Sequence, residues 1–199
     1  HWTVESVSVT ALAWRFNDFT FPRVHNFPTF FLHTASSIFS RMHWNKITLV
    51  GVGLLGGSLG LADIFTCLYF DILRHDPSDP QMAHRDRLIL SIGHVAPILY
   101  ATLAHSGYFP KAELLTLRKL GSRLQGHPAP LKTHGLPGVE IASGALGQGL
   151  SIAVGAAIGL KISKKPNHVY CICGDGELNE GQIWEAAMTA AHHNTDNLT

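Results

Sequence analysis

Apolar positions fall along this chain in two kinds of run, and the kind predicts the element. Short unbroken runs at Lys46–Val50, Leu88–Leu90 and Val169–Cys173 show no polar alternation and read as buried strands. Longer apolar segments have helical length: Ser58–Phe70, the stretch after His94, Phe109–Gly126, and the stretch that opens with acidic residues after Gly176 and runs to His193. Phe109–Gly126 has Pro110 at its start, Glu113 in its early turns and Arg118 and Lys119 at its end, the order that suits a helix dipole. Each predicted strand runs into a glycine turn before its helix: Gly51-x-Gly53-x-x-Gly56, Ser91-x-Gly93-His94 and Gly174-Asp175-Gly176.

Pro137–Leu160 needs separate treatment, because after Glu140 it carries no charge until Lys161. Gly155 and Gly159 at small-xxx-small spacing would suit a membrane helix. Ser143, Gly144, Gly147, Gln148, Gly149 and Ser151 are too polar and glycine-rich for a lipid core, so the expectation is a helix buried between a sheet and a subunit partner.

Composition narrows the classes. A chain of 199 residues with 46% hydrophobic content can bury a substantial core. Lys+Arg 15 against Asp+Glu 14 leaves a net charge of +1, so no basic face argues for nucleic acid or an anionic membrane. Cys67, Cys171 and Cys173 form no CxxC pair and are expected as buried free thiols in a reducing, cytoplasmic compartment. Cys171 and Cys173 share one predicted strand, with their side chains expected on opposite faces. No basic segment followed by a cleavage site argues for a signal peptide, and a chain that starts at His1 and ends within a motif reads as a fragment.

Residues 1–45 mix Trp2, Trp14, Phe16, Phe19, Phe21, Phe30, Phe31 and Trp44 with Pro22 and Pro28, and they sustain neither period. They read as an unassigned aromatic-rich leader, with the folded domain beginning at residue 46.

The chemistry concentrates at VYCICGDGELNEGQIWE, residues 169–185. A strand, a tight turn and a helix start together make a site for phosphate and metal. Gly174 and Gly176 allow a close backbone approach, and Asp175 between them can hold a hard cation that also takes phosphate oxygens. GDGELNEGQIWEAA, with His193, Asp196, Asn197 and Leu198 beyond it, closely resembles the diphosphate-binding segment of transketolase, a thiamine-diphosphate enzyme that moves two-carbon ketol units between sugar phosphates. The resemblance implies Asp175 as a ligand to Mg²⁺ (or Ca²⁺), with a second ligand, an asparagine, expected beyond Thr199.

Other blocks extend the resemblance over roughly Gly56–Thr199. GGSLGLADIFTCLYFDILRHDP is similar to the family's first helix, although Leu54 and Leu55 stand where the family has His and Pro. RDRLILSIGHVAPILYATLAHSGY places His94 where the family's histidine touches the cofactor diphosphate, while His75, His84 and His105 read as surface or satisfied core residues. Gly126-His127-Pro128 resembles the family's GHP, whose histidine meets substrate hydroxyls. Gly144-Ala145-Leu146 matches its cofactor-contacting G-x-L. Gly174, Asp175, Gly176 and Glu177 complete the implied cofactor contacts, and Glu180 matches an acidic residue in a network that links two cofactors across a dimer. Glu180 and Glu185 also complement a helix start.

The fold implied is α/β, a doubly wound, mostly parallel sheet with helices on both faces and ligands at the C-terminal ends of its strands. The activity implied is ketol transfer with thiamine diphosphate, whose own chemistry carries the reaction while protein groups hold its diphosphate and Mg²⁺. The implied partners are sugar-phosphate substrates and a pyrimidine-binding domain or C-terminal subunit, in a homodimer or heterotetramer, without nucleic acid or membrane.

KITLVGVGLLGGSLGLA, residues 46–62, also resembles the start of prephenate dehydrogenase, an NAD(P)-dependent enzyme. That reading requires a second strand ending in an acid about twenty residues on. The chain instead gives Asp71 to Pro80, a loop with two prolines, so a join between two unrelated sequences around Gly56–Ala62 is the expectation there. A non-catalytic degenerate fragment is the third reading.

Overall fold

The computed structural model describes residues 56–133 and 135–199. The expected strand Lys46–Val50, Gly51, Gly53, Leu54, Leu55 and the leader 1–45 lie outside the described residues. From residue 56 the chain is helical, continuing through α1 (Ala62–Cys67) into a π-helical turn at Leu68–Ile72, close to the expected Ser58–Phe70. Residues 73–86 hold turns and no strand, so the second strand that a dinucleotide-binding unit requires does not follow.

β1 (Arg87–Leu90) and β2 (Val169–Ile172) pair in parallel, with Arg87 opposite Val169 and Leu90 opposite Ile172. Parallel neighbours need a crossover connection. Here it contains α2 (Ala96–Ser106) and α3 (Gln148–Ile162), and α4 (Gly181–His192) follows β2. The alternation of a strand sorts its side chains between two cores. Leu88 and Leu90 join Phe65 of α1 and Leu99, Tyr100 and Leu103 of α2, whereas Ile89 and Val169 pack with Ala153 and Ala157 of α3. Both faces of the strands are thus covered, which is why β1 reads as unbroken apolar sequence. At the outer edge of β2, the Val169 N–H donates to the Asn197 carbonyl and the Cys171 N–H to the Thr199 carbonyl, so residues 197–199 already run alongside it.

Charged groups brace the end of the sheet where the strands begin. Arg85 and Glu140 form an ion pair, and the Asp86 carboxylate accepts from the Arg74 N–H at 3.0 Å, its guanidinium Nη2 at 2.9 Å and the His168 N–H at 2.7 Å. Burial works against the Asp86 charge, but the hydrogen bonds from Arg74 and His168 outweigh it and hold the carboxyl below its ordinary range.

Several expectations need correction. Phe109–Gly126 is not one helix: only Lys111–Thr116 coils, as a 3-10 helix, and Arg118 then takes a left-handed φ of 59°. Its N–H closes onto the Leu124 carbonyl while Arg123 pairs back to Glu113, so the segment folds on itself rather than extending. Pro137–Leu160 keeps its glycine-rich first part as a loop, with Gly138 and Gly147 at φ of 82° and 79°, and becomes helical at Gln148, which bears out the short helix expected there. Within α3, Ala153, Val154 and Ala157 are buried, whereas Ile152, Gly155 and Gly159 face outward. Among the described residues no helix is long and apolar enough to cross a membrane. The thiols are not buried: Cys67 is exposed and Cys171 and Cys173 are half-buried. Nor do the last two point to opposite faces. Their sulfurs lie 3.7 Å apart, because residues two apart on a strand share a face.

Candidate functional site at the strand ends

Three loops leave the C-terminal ends of β1 and β2 and the start of α3, and glycines let them touch. A Cβ on Gly93 would lie 2.7 Å from Ser143 Oγ, one on Gly149 2.4 Å from Ser91 Cβ, and one on Gly174 2.3 Å from Ile92 Cγ2. Each distance is shorter than real side chains tolerate, so these glycines are required by proximity. The ring of His127 rests on Gly144, 3.3 Å from where a Cβ there would stand. The turn of His94, the 143–149 loop and His127, separate in sequence, are therefore neighbours. His94 and His127 are exposed, as are Gly144, Ala145 and Leu146. A groove of about 240 Å³ runs beside this loop, lined by residues including Ser143, Gly144, Ala145 and Gln148.

Glu177 ties the loops together. Its side chain is 1% exposed. Oε2 accepts from Ser91 Oγ at 2.8 Å and from the Gly147 N–H at 2.7 Å, and Oε1 accepts from the Gly174 N–H at 2.8 Å. One carboxylate thus joins the end of β1, the entry to α3 and the end of β2. Glu177 begins a 3-10 turn, Glu177–Asn179, that separates the GDG motif from α4, and Glu180 is the residue before α4. Glu180 packs beneath Gly147, and Gln182 Nε2 donates to the Leu146 carbonyl at 2.6 Å. Asp175 is exposed and accepts from the Gly176 N–H at 2.9 Å.

Sequence reasoning singled out Glu177 for its place after GDG, not for this tie. It left Ser91, Ser143 and Gln182 without a role. The signal for Ser91 was present in Ser-x-Gly-His at a strand end. Ser143 Oγ is buried without a protein hydrogen-bond partner, an unsatisfied polar atom beside the Gly144 loop.

These features fit a diphosphate ligand: backbone brought close by glycines, an orphaned hydroxyl and two exposed imidazoles on neighbouring segments. For a metal, Asp175 supplies a single hard oxygen, and among the described residues no cluster of three His, Cys, Asp or Glu could hold an ion alone. The donor set therefore fits a cation that takes its remaining oxygens from a ligand and water, as Mg²⁺ does.

A parallel sheet covered on both faces, with its open loops at the strand C-termini, defines an α/β ligand-binding domain. The chain belongs to the transketolase family: the family described as "Transketolase, thiamine diphosphate binding domain" matches residues 40–199. The match begins at residue 40, ahead of the glycine turn. The chain is 42% identical over 167 residues to the 6-deoxy-6-sulfo-D-fructose transketolase subunit SqwG of Clostridium sp. (strain MSTE9), covering 84% of this chain and 60% of that one. It is 45% identical over 152 residues to the transketolase of Pongo abelii, covering 76% and 24%. Among solved structures, transketolase from Leishmania mexicana superposes with a TM-score of 0.66 at 34% identity, over 72% of this chain and 23% of that one. The chain thus spans 60% of the first of these relatives and about a quarter of the other two.

Proposed function

We propose that this chain is the diphosphate-binding part of a transketolase-type transferase, holding thiamine diphosphate and Mg²⁺ at the strand ends. The observation that carries the reading is the Glu177 tie, which fixes three ligand-facing loops at one place. Asp175 offers its carboxylate to the metal, and the turns at Gly174–Gly176 and Gly144–Leu146 offer backbone groups to the cofactor. His94 meets the diphosphate and His127 hydrogen-bonds the hydroxyl groups of a sugar phosphate. Glu177 has its two oxygens engaged by protein donors, so its bearing on the ligand runs through the loops it holds. When bound, thiamine diphosphate supplies the electron sink that lets a bond beside a carbonyl break.

The reading carries a second, pyrimidine-binding domain or subunit with it. Trp184 and Met188, one helical turn apart on α4, are 63% and 64% exposed, and Gly155 and Gly159 leave one side of α3 open. These faces suit pairing into a homodimer or heterotetramer, with Glu180 near the contact. Free thiols agree with a reducing, cytoplasmic setting.

Calorimetric titration of the 199-residue chain with thiamine diphosphate is expected to show weak, Mg²⁺-dependent binding that Asp175→Ala abolishes without unfolding the domain. Binding indifferent to both metal and Asp175 would overturn the assignment. The same chain is expected to give no turnover of xylulose 5-phosphate with ribose 5-phosphate.

A further inference from the structure

The two strand-end thiols are unused by the reading above, and their placement is unequal. Cys171 lies within β2, opposite Ile89, with its N–H donated to the Thr199 carbonyl at 2.8 Å and its side chain against the Ile89, Ala153, Ala157 and Val169 cluster. Cys173 lies one residue past the end of β2 and directly precedes Gly174, whose N–H is held by Glu177. One sulfur is anchored by the sheet, and the other sits where the backbone is leaving it. We propose that Cys171 and Cys173 form a peroxide-oxidised dithiol that closes to an intrachain disulfide and, in closing, loosens the Gly174–Glu177 turn.

Cys173, past the end of β2, is the attacking sulfur, and Cys171, held in the strand and packed against the Ile89 cluster, is the resolving one. The Cys173 thiolate attacks one oxygen of hydrogen peroxide, the O–O bond breaks, and the departing hydroxide takes a proton to leave as water, giving a sulfenic acid on Cys173. The Cys171 sulfur then attacks the Cys173 sulfur, and the sulfenic hydroxyl leaves with the Cys171 proton as a second water. Overall the two thiols lose two protons and two electrons, and one peroxide becomes two waters.

Geometry makes this bond a switch rather than a staple. Cα atoms two apart on a strand lie about 6.6 Å from each other, near the upper limit of about 6.8 Å for a disulfide. Closing the sulfurs from 3.7 Å to bonding distance draws Cys173, the freer residue, toward Cys171 and pulls Gly174 from Glu177. A bond strained in this way is readily reduced by thiols. The consequence for cofactor binding rests on the proposed function, whereas the chemistry and the loosening do not.

The test uses the full chain carrying Cys67→Ser, treated with hydrogen peroxide and digested without reduction. The expected product is a Cys171–Cys173 disulfide within one peptide, reversed by dithiothreitol. In Cys171→Ser the reaction is expected to stop at a dimedone-reactive sulfenic acid on Cys173. Hydrogen exchange without any ligand is expected to show protection at the Gly174 amide falling by about tenfold or more on oxidation. Thiols that stay alkylatable, a disulfide joining two chains, sulfinic acid formed with Cys171 present, or unchanged Gly174 protection would each overturn the inference. Thiamine diphosphate failing to bind the reduced chain would instead count against the proposed function alone.

Discussion

Glu177→Gln keeps the side chain's size and removes one acceptor. In the native site both oxygens accept, from Ser91 and Gly147 on one side and Gly174 on the other. However the amide lies, its NH₂ faces one of the two backbone N–H groups, and a buried donor loses its partner. Such a loss costs about 1–3 kcal/mol. Urea denaturation is expected to show a drop of that size, with weaker thiamine diphosphate binding alongside, and an unchanged midpoint with unchanged affinity would contradict the tie. At this scale the sequence marked Asp175 as a candidate, because its neighbours in the chain, Gly174 and Gly176, are its neighbours in the turn. It could not show that Ser91 serves Glu177, since those residues stand 86 apart.

α3 offers a comparison between two glycines of one helix. A Cβ at Gly149 would meet Ser91 within 2.4 Å, forcing the helix off β1, while a Cβ at Gly155 would meet nothing within 4 Å. Gly149→Ala is therefore expected to destabilise the domain by about 1–3 kcal/mol through overpacking. Gly155→Ala is expected to stabilise it by about 0.5–1 kcal/mol through helix propensity. Thermal or urea unfolding of both variants checks the pair, and equal effects would mean that the approach of helix to strand is not tight. Elements were legible where local pattern and packing agree, as at β1 and β2, whose unbroken apolar runs are covered on both faces. Phe109–Gly126 misled because its charges suit a helix locally, whereas the Arg123–Glu113 pair and the left-handed Arg118 serve a fold-back.

For the molecule as a whole, Asp86 links the segment after α1, the start of β1 and the residue before β2 through Arg74 and His168. Its carboxyl lies below the ordinary range in the folded state, so its contribution is present above the unfolded value of about 3.9. It is lost as pH falls through the lower folded value. Urea midpoints measured from neutral pH down to about pH 2 are expected to fall in that acid window. Asp86→Asn is expected to be less stable at neutral pH and to show a flatter acid slope; an identical slope would remove Asp86 from the account. The sequence by itself determined β1, β2, the GDG turn and the family, because each is a matter of residues close along the chain. Only the tertiary structure decided that Glu177 faces inward, that the Gly93, Gly144 and Gly174 turns meet, and that Cys171 and Cys173 share a face near the site. The physical reason is that a buried carboxylate takes its donors from wherever the sheet and α3 bring them, and no local pattern records that choice.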